Sequence, residues 1–180
     1  MGQPADTTVD HFDLHGRVQL QVGTLSKAIG AVGGYVAGSA AVRDLLIQRA
    51  RPYLFTTAQP PSVAATCLAA LDVLEDEPEL LERLWENTRF FQSGLRDVGF
   101  DTGQTATPIT PVMIGDEVLA ATFSARLFEA GVFVQPIIFP MVARGRARLR
   151  AIVTAGHTRD DLAFCLETFT RIGRELGIIG

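Results

Sequence analysis

The sequence predicts an α/β fold, and three observations carry it. A stretch near the amino terminus alternates apolar and polar residues. Two stripes of apolar residues follow at helical spacing between residues 62 and 98. From about residue 100 the order reads strand, helix, strand, strand, helix. The alternating stretch, "RVQLQV" (17–22), has the period of a half-buried strand. "VRDLLIQRA" (42–50) reads as a short helix, and "RPYLFTTAQPP" (51–61), with three prolines, as a strand or loop. "SVAATCLAALDVLED" (62–76) is a helix with Val63, Cys67, Leu71 and Leu74 on one stripe. Pro78 suits the first turn of the next helix, which aligns Leu81, Trp85, Thr88, Phe91, Leu95 and Val98 and stops at Gly99. That face is expected to be core rather than a ligand box. "TPITPVMIG" (107–115) is a strand, and its internal proline predicts an edge position. "DEVLAATFSARLFEAG" (116–131) is a helix closed by Gly131. "VFVQPIIF" (132–139) and "ARLRAIV" (147–153) are strands, and residues 157–177 form the last helix. Thr158 and Asp161 have the spacing of a capping box, with Asp in place of the usual Glu.

The chain has 180 residues, 47% hydrophobic and 20% charged, which is enough apolar material for a substantial core. Its formal net charge is −4, and Arg144, Arg146 and Arg148 alternate with other residues instead of forming a run. Both features argue against a nucleic-acid partner. No apolar stretch reaches the roughly 18 residues of a membrane helix. The polar start, "MGQPADTTVDHFDLHGR", holds no hydrophobic targeting core. A cytoplasmic location without a membrane partner is therefore expected. Cys67 and Cys165 lack metal-type spacing and fall on apolar helix faces, so they are expected to be inert packing residues, with no metal site. His11 and His15 lie in a polar segment and are expected to be solvated, whereas His157, beside a helix cap, is expected to brace the turn.

"VGTLSKAIGAVGGYVAG" (22–38) sets one lysine, Lys27, among glycines and small apolar residues. An ammonium in apolar surroundings tends to lose its proton. The neutral amine is a nucleophile that condenses with aldehydes. Thr24, three residues earlier, offers a hydroxyl to a phosphate, and Gly23, Gly30, Gly33 and Gly34 permit tight turns. Together these features suggest a pyridoxal phosphate site. A phosphate-binding P-loop is excluded, because Ser26 precedes Lys27 and Ala28 follows it. The dinucleotide-binding glycine pattern is absent too. The spacing alone leaves open a solvated lysine on a glycine-rich turn.

"GTLSKAIGAVGGYVAG", "RPYLFTTAQPP" and "ARLRAIVTAGHT" resemble, in this order and spacing, the α-oxoamine synthases. These are pyridoxal 5'-phosphate enzymes of fold type I that join an amino acid to an acyl-CoA. The resemblance runs from about Val9 onward. It implies an aminotransferase-like fold in truncated form. Residues 1–98 would be the C-terminal part of the large cofactor-binding domain with its linking helices, and 99–180 the small C-terminal α/β domain. It implies that Lys27 holds the cofactor aldehyde and then moves the α-proton, and that Thr24 is a phosphate ligand. Thr56 and Thr57 match the pair that reaches a partner subunit's phosphate across a homodimer with shared active sites. Arg150 matches the arginine that holds the substrate carboxylate. Read without the family, the strand does not choose between Arg150 and its same-face neighbour Arg148, and Thr56 and Thr57 also suit a plain strand.

The resemblance also places several residues before Met1: the aspartate that pairs with the pyridine nitrogen, its D-x-x-H histidine, and the ring-stacking histidine. The chain is thus expected to be the C-terminal half of an enzyme. Within the family, "DHFDLHGRV", "RPYLF", "ERLWENTRFF", "TPITPVMIGDEV" and "FPMVARGRARLR" look closest to glycine C-acetyltransferase. The expected reaction therefore condenses glycine with acetyl-CoA to 2-amino-3-oxobutanoate and CoA. The alternative is the alanine and pimeloyl thioester chemistry of 8-amino-7-oxononanoate synthase. A reading of another class is a non-catalytic remnant or dimerising module.

Overall fold

Pro78 lies between two helices that belong to different packing units. A computed structural model describes residues 8–180. Its packing divides the chain into one unit over Met1–Pro78 and another over Glu79–Gly180.

The first unit contains α1 (Thr8–His11), β1 (Leu20–Thr24), β2 (Gly34–Gly38), α2 (Ala40–Arg49), α3 (Arg51–Leu54) and α4 (Pro61–Asp76). The alternating stretch becomes β1, shifted toward Thr24. β1 pairs antiparallel with β2 from Leu20↔Gly38 to Thr24↔Gly34. The sequence does not announce β2, because glycine is a poor strand former. Here glycine is what lets the strands close. A Cβ on Gly23 would lie 2.3 Å from the Tyr35 ring, and one on Gly34 2.7 Å from the Gly23 carbonyl oxygen. α3 stands where a strand or loop was expected. Its proline, Pro52, occupies the first turn, where the missing N–H costs nothing. Ser39 caps α2, accepting a hydrogen bond from the Val42 N–H at 3.4 Å. The His15 imidazole, expected to be free in solvent, is 2.9 Å from an Asp10 carboxylate oxygen. Among the described residues of this unit, only Val9 and Ala31 are buried hydrophobics. In α4, Val63, Cys67 and Leu74 are half-buried and Leu71 is exposed.

The second unit contains α5 (Glu79–Asp97), β3 (Ile109–Gly115), α6 (Glu117–Glu129), β4 (Gln135–Ile137), β5 (Ala147–Ile152) and α7 (Arg159–Glu175). The sheet order is β3-β5-β4, and both pairings are antiparallel. Pro111 therefore sits on an edge strand, as its missing N–H predicts. β4 is shorter than the predicted 132–139, because it pairs only with Arg148–Arg150 of β5. Val132 and Val134 enter the core without joining the ladder. On β5, Ala147, Leu149 and Ala151 are buried, and the other face carries Arg148, Arg150 and Ile152.

The core lies between this sheet and α5, α6 and α7. Phe91, Phe100, Phe123 and Phe169 meet in it with ring centroids 5.5–6.0 Å apart. The α5 stripe turns inward as predicted, with Thr88, Phe91 and Leu95 buried. Buried Gln92 donates to the Thr107 carbonyl and the Thr110 hydroxyl, tying α5 to the start of β3. α5 packs on α7, which places it in the second packing unit, from Glu79 onward. No helix among the described residues is long and apolar enough to cross a membrane. Cys165 is half-buried, and burial pushes its thiol pKa up, with a further push from Asp161, which suits a packing role.

α7 starts on the capping box. The Asp161 N–H donates to the Thr158 hydroxyl, and the Thr158 N–H donates to an Asp161 carboxylate oxygen at 2.8 Å. The bond from the Thr158 hydroxyl, and then that from its N–H, hold the Asp161 pKa below its ordinary value. A lowered carboxylate stabilises above its unfolded-state pKa, and that contribution fades as pH falls through the lower folded value. Thr158→Ala is expected to cost about 1 kcal/mol at neutral pH. A urea unfolding midpoint shows this loss, and the gap between variant and parent should narrow in strong acid.

Candidate functional site

Residues 25–33 form the loop between β1 and β2, and Lys27 sits at its bend. Three backbone bonds shape the loop. The Leu25 N–H reaches the Gly33 carbonyl at 2.9 Å, Ala31 N–H the Leu25 carbonyl at 2.8 Å, and Gly30 N–H the Lys27 carbonyl at 3.0 Å. The last closes a turn whose final residue has φ +70°, a conformation that glycine adopts without strain. The turn places three polar side chains in series. Lys27 Nζ donates to Ser26 Oγ at 3.1 Å, and Ser26 Oγ is 2.9 Å from Thr24 Oγ1. The Ser26 N–H also donates to Thr24 Oγ1, at 3.2 Å.

Sequence reasoning found Thr24 and Lys27 here but missed Ser26 as their link. The signal was adjacency: neighbouring side chains diverge on a strand but can meet on a bend. The expectation of a sheltered lysine needs correction. Within this chain Lys27 is exposed, as are Thr24 and Ser26, and of the loop only Ala31 is buried.

Thr56 and Thr57 follow α3 and are both exposed. Thr56 Oγ1 accepts from the Ala58 N–H at 3.2 Å, whereas Thr57 hydrogen-bonds to no described residue. Two residues further on, Gln59 meets the lysine loop. A Cβ on Gly33 would sit 1.7 Å from Gln59 Nε2, and Gly33 has φ +109°. The Gln59 side chain thus lies against the end of the lysine loop, a contact that no local pattern announces.

Arg150 belongs to the second unit. It projects from β5 between Pro111 of β3 and Gln135 of β4. It lines a cleft of about 720 Å³, together with Phe133, Gln135, Ile152, His157 and Phe164. The Arg150 side chain is exposed and makes no hydrogen bond or ion pair with a described residue. Arg148 is half-buried, with its Nε bonded to the Arg146 carbonyl at 3.2 Å. His157 braces its loop, as expected. Its Nδ1 accepts from the Thr154 N–H at 3.1 Å, and its carbonyl accepts from Asn87 at 2.9 Å.

The donor set on the lysine loop suits the two reactive ends of pyridoxal 5'-phosphate, with an amine for the aldehyde and hydroxyls for the phosphate.

The model of the aminotransferase class I and II family matches residues 1–169. The 8-amino-7-oxononanoate synthase of Symbiobacterium thermophilum is 56% identical over 179 residues, covering 99% of this chain and 46% of that protein. 8-Amino-7-oxononanoate synthase 1 of Bacillus subtilis is 50% identical over the same length, again across 46% of its own chain. The chain therefore spans about half the length of the curated relatives it matches. Among solved structures, a serine palmitoyltransferase variant from S. paucimobilis with PLP and myriocin bound superposes with a TM-score of 0.91. It is 32% identical over 99% of this chain and 46% of that one. These similarities lie within the α-oxoamine synthases and support fold type I. The curated relatives named here are 8-amino-7-oxononanoate synthases, not glycine C-acetyltransferases, the branch expected from short stretches such as "RPYLF".

Proposed function

We propose, since this chain belongs to the aminotransferase class I and II family, that it supplies the lysine-bearing part of an 8-amino-7-oxononanoate synthase. Such an enzyme is a pyridoxal 5'-phosphate-dependent acyltransferase that joins alanine to a pimeloyl thioester. When bound, the cofactor supplies an aldehyde for an amine and an electron sink for the substrate's α-carbon. Lys27 Nζ is the atom that holds the aldehyde end and carries the α-proton. Ser26 Oγ, 3.1 Å away, orients that amine. The Thr24 and Ser26 hydroxyls bind phosphate, and Thr56 and Thr57 serve the phosphate of a second subunit in a homodimer. Arg150, unpartnered on the open face of β5, receives the amino acid's carboxylate as a bidentate pair. The observation that carries the reading is the Lys27–Ser26–Thr24 hydrogen-bonded series, in a chain 56% identical to the S. thermophilum synthase.

The test is the substrate preference of the holoenzyme that contains this chain. Alanine with pimeloyl thioester is expected to exceed glycine with acetyl-CoA at least tenfold in kcat/KM, and the reverse order would sink the reading. In the same assay, Arg150→Gln removes a charge-assisted contact worth about 1.5–3 kcal/mol. The KM for the amino acid should then rise roughly tenfold to a hundredfold. If Arg148→Gln raises it instead, the carboxylate role belongs to Arg148.

A further inference from the structure

β5 is the middle strand of its sheet, and its outward face carries two arginines, Arg148 and Arg150. Successive same-face residues of a strand lie about 7 Å apart. The register gives each arginine a row of its own. Arg150 lies between Pro111 and Gln135, and Arg148 between Met113 and Ile137. Neither row contains a carboxylate, and among the described residues neither arginine enters an ion pair. Arg148 is half-buried, and so are Met113 and Ile137 on either side of it. Its Nε donates to the Arg146 carbonyl at 3.2 Å, which leaves the two terminal nitrogens of the guanidinium as a fork. A cation held partly out of water without a counter-charge is costly, and a bound anion offsets that cost. A single carboxylate on Arg150 leaves Arg148 unmatched.

We propose that Arg148 is a second carboxylate site, and that the pair reads a substrate charged at both ends of an apolar chain. The inference rests on the proposed function and deepens it. In that reaction the amino acid's carboxylate goes to Arg150, and the pimeloyl group ends in a carboxylate of its own. Arg148 receives that far end as a bidentate pair, and Met113 and Ile137 offer apolar contact to the methylenes. An acyl group that ends in methyl would leave the guanidinium unmatched, and the site discriminates against it for that reason. The phosphates of a thioester carrier match less well, because they are polar throughout and the row around Arg148 is apolar.

The first measurement needs neither cofactor nor turnover. Pimelate and heptanoate, equal in chain length, are titrated by calorimetry into the 180-residue chain. Pimelate is expected to bind at least about tenfold more tightly, the effect of one charge-assisted contact. Arg148→Gln should bring the two acids level, and Arg148→Lys should restore part of the difference. In the holoenzyme that contains this chain, Arg148→Gln should raise the KM for pimeloyl thioester at least about tenfold. The KM values for alanine and for heptanoyl thioester should stay at the parent's, which a loss of folding would not allow. Equal binding of the two acids by the parent, or a preference that survives Arg148→Gln, overturns the proposal. So does an equal rise in KM for both thioesters, which would assign Arg148 to the carrier's phosphates. A holoenzyme that ignores alanine, built on a chain that still tells pimelate from heptanoate through Arg148, would sink the proposed reaction and leave the arginine pair standing.

Discussion

Replacing Lys27 with alanine is expected to leave a folded protein that holds pyridoxal 5'-phosphate no longer by a covalent bond. In the holoenzyme, turnover should fall by at least about a thousandfold. The structural cost is small, because Lys27 is exposed and its side chain, among the described residues, hydrogen-bonds to its neighbour Ser26. On the proposed function the chemical cost is large, because one atom would do two jobs: the nucleophile that anchors the aldehyde, and the base for the α-proton. A general base alone contributes about 10²–10⁴-fold. Borohydride reduction separates the two effects from any loss of folding. The parent should retain cofactor on the peptide containing Lys27 after denaturation, and the alanine variant should retain none. Normal turnover in the variant, or a label elsewhere in the chain, would end the assignment. Ser26→Ala tests the link. Labelling should survive but proceed more slowly, since the proposed role of the hydroxyl is to orient the amine without forming the bond.

What could be read from the sequence follows from how local each feature is. The α5 stripe, the Thr158–Asp161 box and the edge position of Pro111 each depend on residues within a few turns of one another, and each is present. The α3 turn was hidden behind its proline, Pro52, and β2 behind its glycines. In both, a weak local preference is overridden, by a proline that fits a first turn and by pairing with β1. Lys27 and Thr24 were legible because their chemistry is carried by residue type and spacing. The shelter of Lys27 was not, because burial is set by chain distant in sequence. "AIGAVGG" looks like packing material, yet of these residues only Ala31 is buried in the unit it belongs to. Gln59 against Gly33 is a contact of the same non-local kind.

The second unit should unfold on its own account, and Phe169→Ala should expose how much of its stability sits in one aromatic cluster. Phe169 is fully buried on α7. Its ring lies 6.0 Å from Phe91, 6.0 Å from Phe100 and 5.5 Å from Phe123, so it touches α5, the start of the β3 approach and α6 at once. Truncation removes the transfer energy of the ring and leaves a cavity that three stiff neighbours cannot collapse into, a loss of about 3–5 kcal/mol. Whole domains are stable by only about 5–15 kcal/mol. For a unit of this size the melting point should therefore drop by on the order of 15–30 °C. Trp85, the single tryptophan, lies on α5 within the same unit, so its fluorescence follows this unit in particular. Phe164→Ala is the control. It is on the same helix but 51% exposed, and its loss should stay within about 0.5 kcal/mol. If the two variants melt together, the cluster is not what holds α5, α6 and α7 against the sheet. The sheet would then be pinned by its polar ties instead, chiefly Gln92 to Thr107 and Thr110 and Asn87 to the loop before α7.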